Sequence, residues 1–538
     1  MKKTVLLVLI ACWLISARGQ RPVDILHYQF SLEINDTHDT IYGKAVILLS
    51  PLKPGNSVQV DFAGNRSNKK SMQVISCFLQ SPSPAQNMDK SNAFIHQNDK
   101  ITVEAWQPFV AGDTLELIIL YKGVPSDGLI ISKNMFGKRT LFADNWPNRA
   151  HYWIPCVDEP GDKARVEFLV TAPAHYQVIS NGIQVEETNL PANKKRTHWR
   201  EDVPLPTKVM VIGVADFAVQ HTGYVNNCIP VSSWVFPENR DNGFHDYSIG
   251  KNILAFFDQY IGPYPYRKLA NVQSRTMYGG MENAGAIFYY ESSVNGQQAE
   301  EGLFAHEIVH QWFGNMATEK SFAHLWLSEG FATYLTHVFM EHKYGTDSLN
   351  NRMNDDRAAV LSFVKESKRP VVDSTPVFKS LLNSNSYQKG SWVLHMLRRQ
   401  LGDSVFHESI RQYYAQYGGR NAETRDLQQV FEKVAGRSLE NFFSQWLFRK
   451  ENPGLLITWK NNLKENTVAI TVEQTQHELF EMPLEMLLIT GLRDNLSKNV
   501  SLTKRKDTFI FPINSPVLQL DADYKTSLLA EITVKEEK

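Results

Sequence analysis

Residues 306–310 read His-Glu-Ile-Val-His, and a further glutamate, Glu329, lies within Trp-Leu-Ser-Glu-Gly-Phe-Ala. On a helix, positions four apart share one face, so His306 and His310 can hold one metal ion. Glu307, between them, is placed to act on a water beside that ion without being a ligand. A tetrahedral catalytic zinc takes three protein ligands and keeps one position open. Glu329 is the expected third ligand, because the eighteen residues between it and His310 suffice to finish one helix, turn, and bring a second past the metal. Two imidazoles and one carboxylate leave the ion enough positive charge to acidify a water. The pattern predicts a zinc hydrolase. A bare H-E-x-x-H arises by chance in on the order of a few per cent of chains this long. Here, however, Ile308, Val309, Trp312 and Phe313 make the helix apolar around the histidines, and buried imidazoles without a metal would need other polar partners.

A second block precedes this one: Gly279-Gly280-Met281-Glu282-Asn283. With His306-Glu-Ile-Val-His-Gln-Trp-Phe-Gly-Asn315 and Trp326-Leu-Ser-Glu-Gly-Phe-Ala332, it resembles the zinc aminopeptidases of the aminopeptidase N family, a group that includes the leukotriene hydrolases. Ile154-Pro-Cys-Val-Asp-Glu-Pro160, Gly262-Pro-Tyr-Pro-Tyr-Arg-Lys268, Tyr387-Gln-Lys-Gly390 and Phe442-Phe-Ser-Gln-Trp-Leu447 follow the same pattern in order. The resemblance covers nearly all of the chain after its first twenty residues, and the motifs are specific in combination. It is to a short form: longer members continue into a C-terminal helical domain over the zinc cleft, and the expectation here is a cleft open on that side.

The resemblance implies roles for further residues. Tyr387 is the expected oxyanion donor, although without the resemblance a tyrosine on a helix reads as a core residue. Adjacent glycines let a substrate backbone approach closely, and an exposed strand edge can pair with an extended peptide. Gly279, Gly280, Met281, Glu282 and Asn283 are therefore expected to bind substrate, Glu282 offering a charge to a free α-ammonium. One departure stands out. The family usually carries Gln, often with Glu two residues on, upstream of the segment matching Pro155-Cys156; this chain has Asp144 and Trp146 there. Asp144 is the expected second negative charge, with a shorter reach, and Trp146 reads either as a pocket wall or as a core residue.

At 538 residues the chain is too long for one core. A formal net charge of −1, with 43% hydrophobic and 21% charged residues, gives no indication of a nucleic-acid or anionic-membrane partner. Residues 1–19 carry two lysines, an apolar run and then small residues, and read as a signal peptide, too short for a membrane span. A rival reading of Leu9-Ile-Ala-Cys12 is a lipoprotein box anchoring the chain at Cys12. Either reading predicts export, periplasmic or secreted. Cys77, Cys156 and Cys228 remain, too few for a disulfide framework, and the sequence leaves open whether any two pair.

Residues 22–222 alternate with period two between turn clusters and predict an antiparallel β-domain, saddle-shaped by the resemblance. Residues 223–450 show longer helical patterns (248–259, 298–312, 325–344, 387–401, 405–417 and 424–434) and, by the resemblance, a thermolysin-like α/β catalytic domain. Residues 453–538 alternate again and predict a β-sandwich. The fold class is thus multidomain α+β. The expected function is that of an exported, monomeric zinc aminopeptidase acting on peptides with a free N-terminus, with one Zn2+ and no transmembrane helix. An epoxide hydrolase, an endopeptidase and an inactive scaffold are the competing classes; Glu282 argues against the endopeptidase, and the retained Glu307 and Tyr387 against the scaffold.

Overall fold

The structure, a computed structural model, describes residues 22–64, 70–81, 90–374, 378–491 and 495–537. The signal segment, Cys12 and the following residues to 21 lie outside the described residues. The first half is β-rich. Its largest sheet has seven strands in the spatial order Ile183–Leu190, Lys194–Leu205, Ala164–Pro173, Val23–Glu33, Ile41–Pro51, Leu115–Gly123 and Met72–Gln80. The strands alternate buried and accessible positions, as in Val23–Glu33, where Ile25, Tyr28, Phe30 and Leu32 point inward. Pairing is antiparallel except between Val23–Glu33 and Ala164–Pro173, which run parallel, so this domain is mixed rather than purely antiparallel. Alternation specifies which face is buried, not the direction of the neighbour.

A five-stranded sheet follows, in the order Ala218–Val225, Ile229–Val235, Leu269–Ser274, Ala286–Tyr290 and Gly280–Met281. Its first strand runs across the expected boundary at residues 222 and 223. The helix Glu301–Val309 packs against its edge strand Gly280–Met281, and Trp326–Tyr344 packs against that helix. The second is buried without interruption from Trp326 to Met340, because helices pack on all its sides. Helix Thr346–Ser367, not expected from the sequence, lies against it. Residues 387–401 were expected to be one helix; they begin instead as a π turn, Asn385–Lys389, and become α-helical at Gly390–Leu401.

The last section has a four-stranded sheet, Lys506–Pro512, Thr467–Gln474, Gly454–Asn462 and Glu531–Glu536, and a three-stranded one, Leu496–Leu502, Met482–Thr490 and Val517–Ala522. Cys77, Cys156 and Cys228 are free thiols, the first two buried. No helix among the described residues is long and apolar enough to cross a membrane.

Candidate metal centre

Helix Glu301–Val309 presents His306 and, one turn on, His310, with their Nε2 atoms 3.1 Å apart. Glu329, in the first turn of Trp326–Tyr344, brings Oε2 to 3.5 Å from His306 Nε2 and 3.3 Å from His310 Nε2. Zinc bonds of 2.0–2.1 Å in a tetrahedron place ligand atoms about 3.3 Å apart. The three donors therefore fit a zinc ion in chemistry and in spacing. His310 Nδ1 faces the Phe313 carbonyl at 3.1 Å and Ser328 Oγ at 3.2 Å. A proton on Nδ1, donated to that carbonyl, leaves the Nε2 lone pair directed at the shared point. The Glu329 Oε2 atom is buried and accepts no hydrogen bond, another sign that its complement is a cation.

Charges of the chain itself act on these groups. Burial opposes a charge on His310, but Glu329, Glu282 and Glu307 outweigh it and raise the imidazole to about 9. Glu329 is held well below the usual carboxylate range; burial opposes this, and His310 and His306 prevail. Glu307 shifts the other way: burial raises it well above an ordinary glutamate, and Glu282 and Glu329 add to the rise against the opposing His310. A carboxyl so raised is suited to holding a proton between two steps.

Tyr387 stacks on His306, ring centroids 5.9 Å apart and planes at 16°. It sits on the π turn, where the Lys389 N–H reaches the Ser384 carbonyl at 2.8 Å; such turns recur at functional positions. Burial raises its hydroxyl well above the usual value, with Glu329, Glu282 and Glu307 adding to the shift, so it stays protonated and able to donate. Its backbone is fixed by a close crossing: a Cβ on Gly330 would lie 2.8 Å from the Gly390 Cα, a spacing only glycine permits. That crossing holds Glu329 and Tyr387 in one neighbourhood.

Trp146, Tyr278, Gly280, Met281, Glu282, Leu382 and Tyr387 line one small cavity of about 70 Å³ together with His306, Glu307, His310 and Glu329. Strand Gly280–Met281 is the edge of its sheet, paired only with Ala286–Tyr290 among the described residues. A side chain on Gly280 would run into the Glu307 carboxylate. The Glu282 carboxylate is nearly buried, and its Oε1 has no partner. Gly279 lies just outside this lining, its carbonyl accepting the Tyr290 N–H at 2.8 Å. Asn283 is fully buried, with both side-chain polar atoms unpartnered.

Asp144 has another place. It is fully buried and absent from the cavity wall; its carboxylate pairs with Arg149 and accepts the Met277 N–H at 2.9 Å. Arg149, five residues on, is a partner that the sequence pattern does not reveal. Trp146 is both wall and core: it is 3% exposed and meets Tyr278 and Phe322 edge-on. The sequence pattern likewise does not disclose a role for Gln311 or Asn315, which follow the end of helix Glu301–Val309.

Two sequence families of one lineage match the chain: "Peptidase family M1 domain" over residues 246–446 and "Peptidase M1 N-terminal domain" over residues 25–209. The chain belongs to peptidase family M1. It is 29% identical over 328 residues to Aminopeptidase M1 of Arabidopsis thaliana, covering 57% of this chain and 36% of that protein. A glutamyl aminopeptidase of Rattus norvegicus is 27% identical, covering 61% and 36%. A leucyl aminopeptidase of Saccharolobus solfataricus is 26% identical, covering 74% and 50%. The chain thus spans between about a third and a half of the length of these M1 relatives.

Proposed function

We propose that this M1 peptidase is an exported zinc aminopeptidase that removes N-terminal residues from peptides. The observation that carries the reading is the buried Glu282 carboxylate, whose Oε1 has no hydrogen-bond partner, in the same small cavity as three converging metal donors. A buried carboxylate oxygen with no hydrogen-bond donor from the chain favours a cationic group there, and an α-ammonium is the cation that an exopeptidase must recognise. His306, His310 and Glu329 would hold the zinc, which when bound supplies a Lewis acid and an acidified water. Glu307 takes the proton of the attacking water and delivers it to the leaving amine. The Tyr387 hydroxyl donates to the oxygen on which charge develops. Gly279 to Asn283 form the substrate-binding segment: the free edge of Gly280–Met281 pairs with the extended peptide, and Glu282 fixes its first residue. In architecture we read the first domain as a saddle, the middle as thermolysin-like and the last two sheets as a sandwich, a reading supported by the element order and the matched families. Export rests on residues 1–19 alone and is tested by sequencing the N-terminus of the mature protein.

The deciding experiment compares an aminoacyl-anilide with its N-acetylated form, with and without chelator. Strong preference for the free amine, lost on chelation and regained with zinc, is expected. Equal cleavage of both forms would make the protein an endopeptidase. Glu307→Gln should keep zinc and lose about 10²–10⁴ in turnover, whereas His310→Ala should lose the metal itself.

A further inference from the structure

The turn that carries Glu282 is fastened to the segment just after the metal helix by side chains that take no part in the chemistry proposed above. Gln311 Nε2 donates to the Glu282 carbonyl at 2.9 Å, and its Oε1 accepts the Gly285 N–H at 2.8 Å. Asn315 Nδ2 donates to the same Glu282 carbonyl at 2.6 Å. Both side chains are fully buried. Asn315 is itself anchored: its N–H reaches the His310 carbonyl at 3.1 Å, and its own carbonyl accepts from Lys163 Nζ at 3.2 Å. On the far side of the turn, Asn181 Nδ2 donates to the Ala284 carbonyl at 2.8 Å.

We infer that Gln311 and Asn315 are positioning residues that set the place of Glu282 relative to the metal helix, and that the preference for a free N-terminus depends on them. Two donors converging on one carbonyl over-determine its position, and the second contact of Gln311, to Gly285, stops the turn from sliding along the helix. The span from amine to scissile bond is fixed in a peptide, so the carboxylate must stand at a fixed distance from the metal donors. A misplacement of about 1 Å in such an arrangement is enough to cost two orders of magnitude in rate. Packing alone would leave this distance loose, because Gly285 has no side chain and Ala284 only a methyl group. This inference rests on the reading of Glu282 as the amine acceptor.

The test uses Gln311→Met, which at nearly constant volume removes these two contacts and a longer one to the Glu307 carbonyl at 3.4 Å, Asn315→Ala, which removes the second donor, and Gln311→Glu, which keeps an acceptor for Gly285 but not the donor to Glu282. Each is assayed on matched free and N-acetylated substrates, with zinc content measured by metal analysis. Expected is a rise of about tenfold in KM for the free-amine substrate, the scale of one lost hydrogen bond. The free-over-blocked preference should fall by a similar factor, with zinc still at one per chain. Gln311→Glu should follow Gln311→Met rather than the wild type. A selective wild type whose folded variants keep its selectivity overturns the clip, as does loss of zinc in these variants, which would make the contacts a support of the metal helix only. A wild type that does not discriminate sinks the reading of Glu282 instead.

Discussion

The catalytic region meets β structure on two sides, and the two seams are built differently. On the N-terminal side the contacts are buried and charged, and they hold segments next to the site. Lys208 Nζ lies 2.5 Å from Glu319 Oε1, with both side chains almost fully buried. Lys163 Nζ donates to the carbonyls of Asn315 and Met316 at 3.2 and 2.7 Å, and Asp144 holds Met277. On the C-terminal side Arg357 pairs with Asp523, His395 Nε2 donates to the Thr526 carbonyl at 2.7 Å, and Gln445 and Glu481 exchange two hydrogen bonds. None of those residues lines the metal cavity. A looser space of about 510 Å³ lies in that second seam, between Arg399, Arg437 and Glu485. The first domain does place Trp146 in the cavity wall, whereas no residue of the last section lines it, so the second seam supports the helices from behind.

The largest effect is expected at Lys208. Burial opposes its charge, yet Glu319 raises it, and Glu282 and Glu329 add to that. Lys208→Met leaves Glu319 buried without a partner, a change that typically destabilises by about 3–5 kcal/mol. The double variant with Glu319→Met should recover most of this in denaturant unfolding. A single variant as stable as the wild type would remove the pair from the account of the first seam.

A smaller effect, on substrate binding more than on folding, is expected at Asp144. Asp144→Asn keeps an acceptor for the Met277 N–H and removes the charge that Arg149 pairs with. KM for a free-amine substrate should rise several-fold with little change in Tm. If the free-over-blocked preference collapses as fully as in Glu282→Gln, Asp144 meets the amine itself, and the two carboxylates act together.

The smallest effect belongs to the second seam and depends on pH. Burial pushes the His395 imidazole down to about 3, against an unfolded value of about 6.5. The unfolded chain thus binds this proton first, so the stability contribution is complete above about pH 6.5 and declines as pH falls toward 3. His395→Gln should flatten the fall of Tm over that window and leave kcat/KM at neutral pH close to that of the wild type. An unchanged slope in the variant would assign the acid sensitivity elsewhere.

What the sequence disclosed follows from locality. His306, Glu307 and His310 are readable because a helical turn fixes their geometry within five residues, and strands are readable because burial alternates. Helix Thr346–Ser367 went unread because its buried stripe is narrow, Leu349, Met353, Asp356 and Val360, and one member is charged. His337 satisfies that charge at 3.0 Å, a partner nineteen residues away that no periodicity reveals. The family pattern suggests a substrate role for Asp144 but does not disclose that its carboxylate pairs with Arg149 and accepts from Met277, a residue 133 positions distant. The parallel neighbour of Val23–Glu33 was hidden for the same reason.

The crossing of Gly330 and Gly390 gives the chain an uneven tolerance to change. Where apolar side chains alone meet, neighbours can shift around a substituted one, and stability declines in small steps. Where two backbones touch there is nothing to repack, so a single added methyl must push two helices apart. The residues next to those glycines, Glu329 and Lys389, flank the crossing, and Tyr387 stands one turn earlier. A methyl group at either glycine would therefore disturb the placing of Glu329 and Tyr387 together, without touching either side chain.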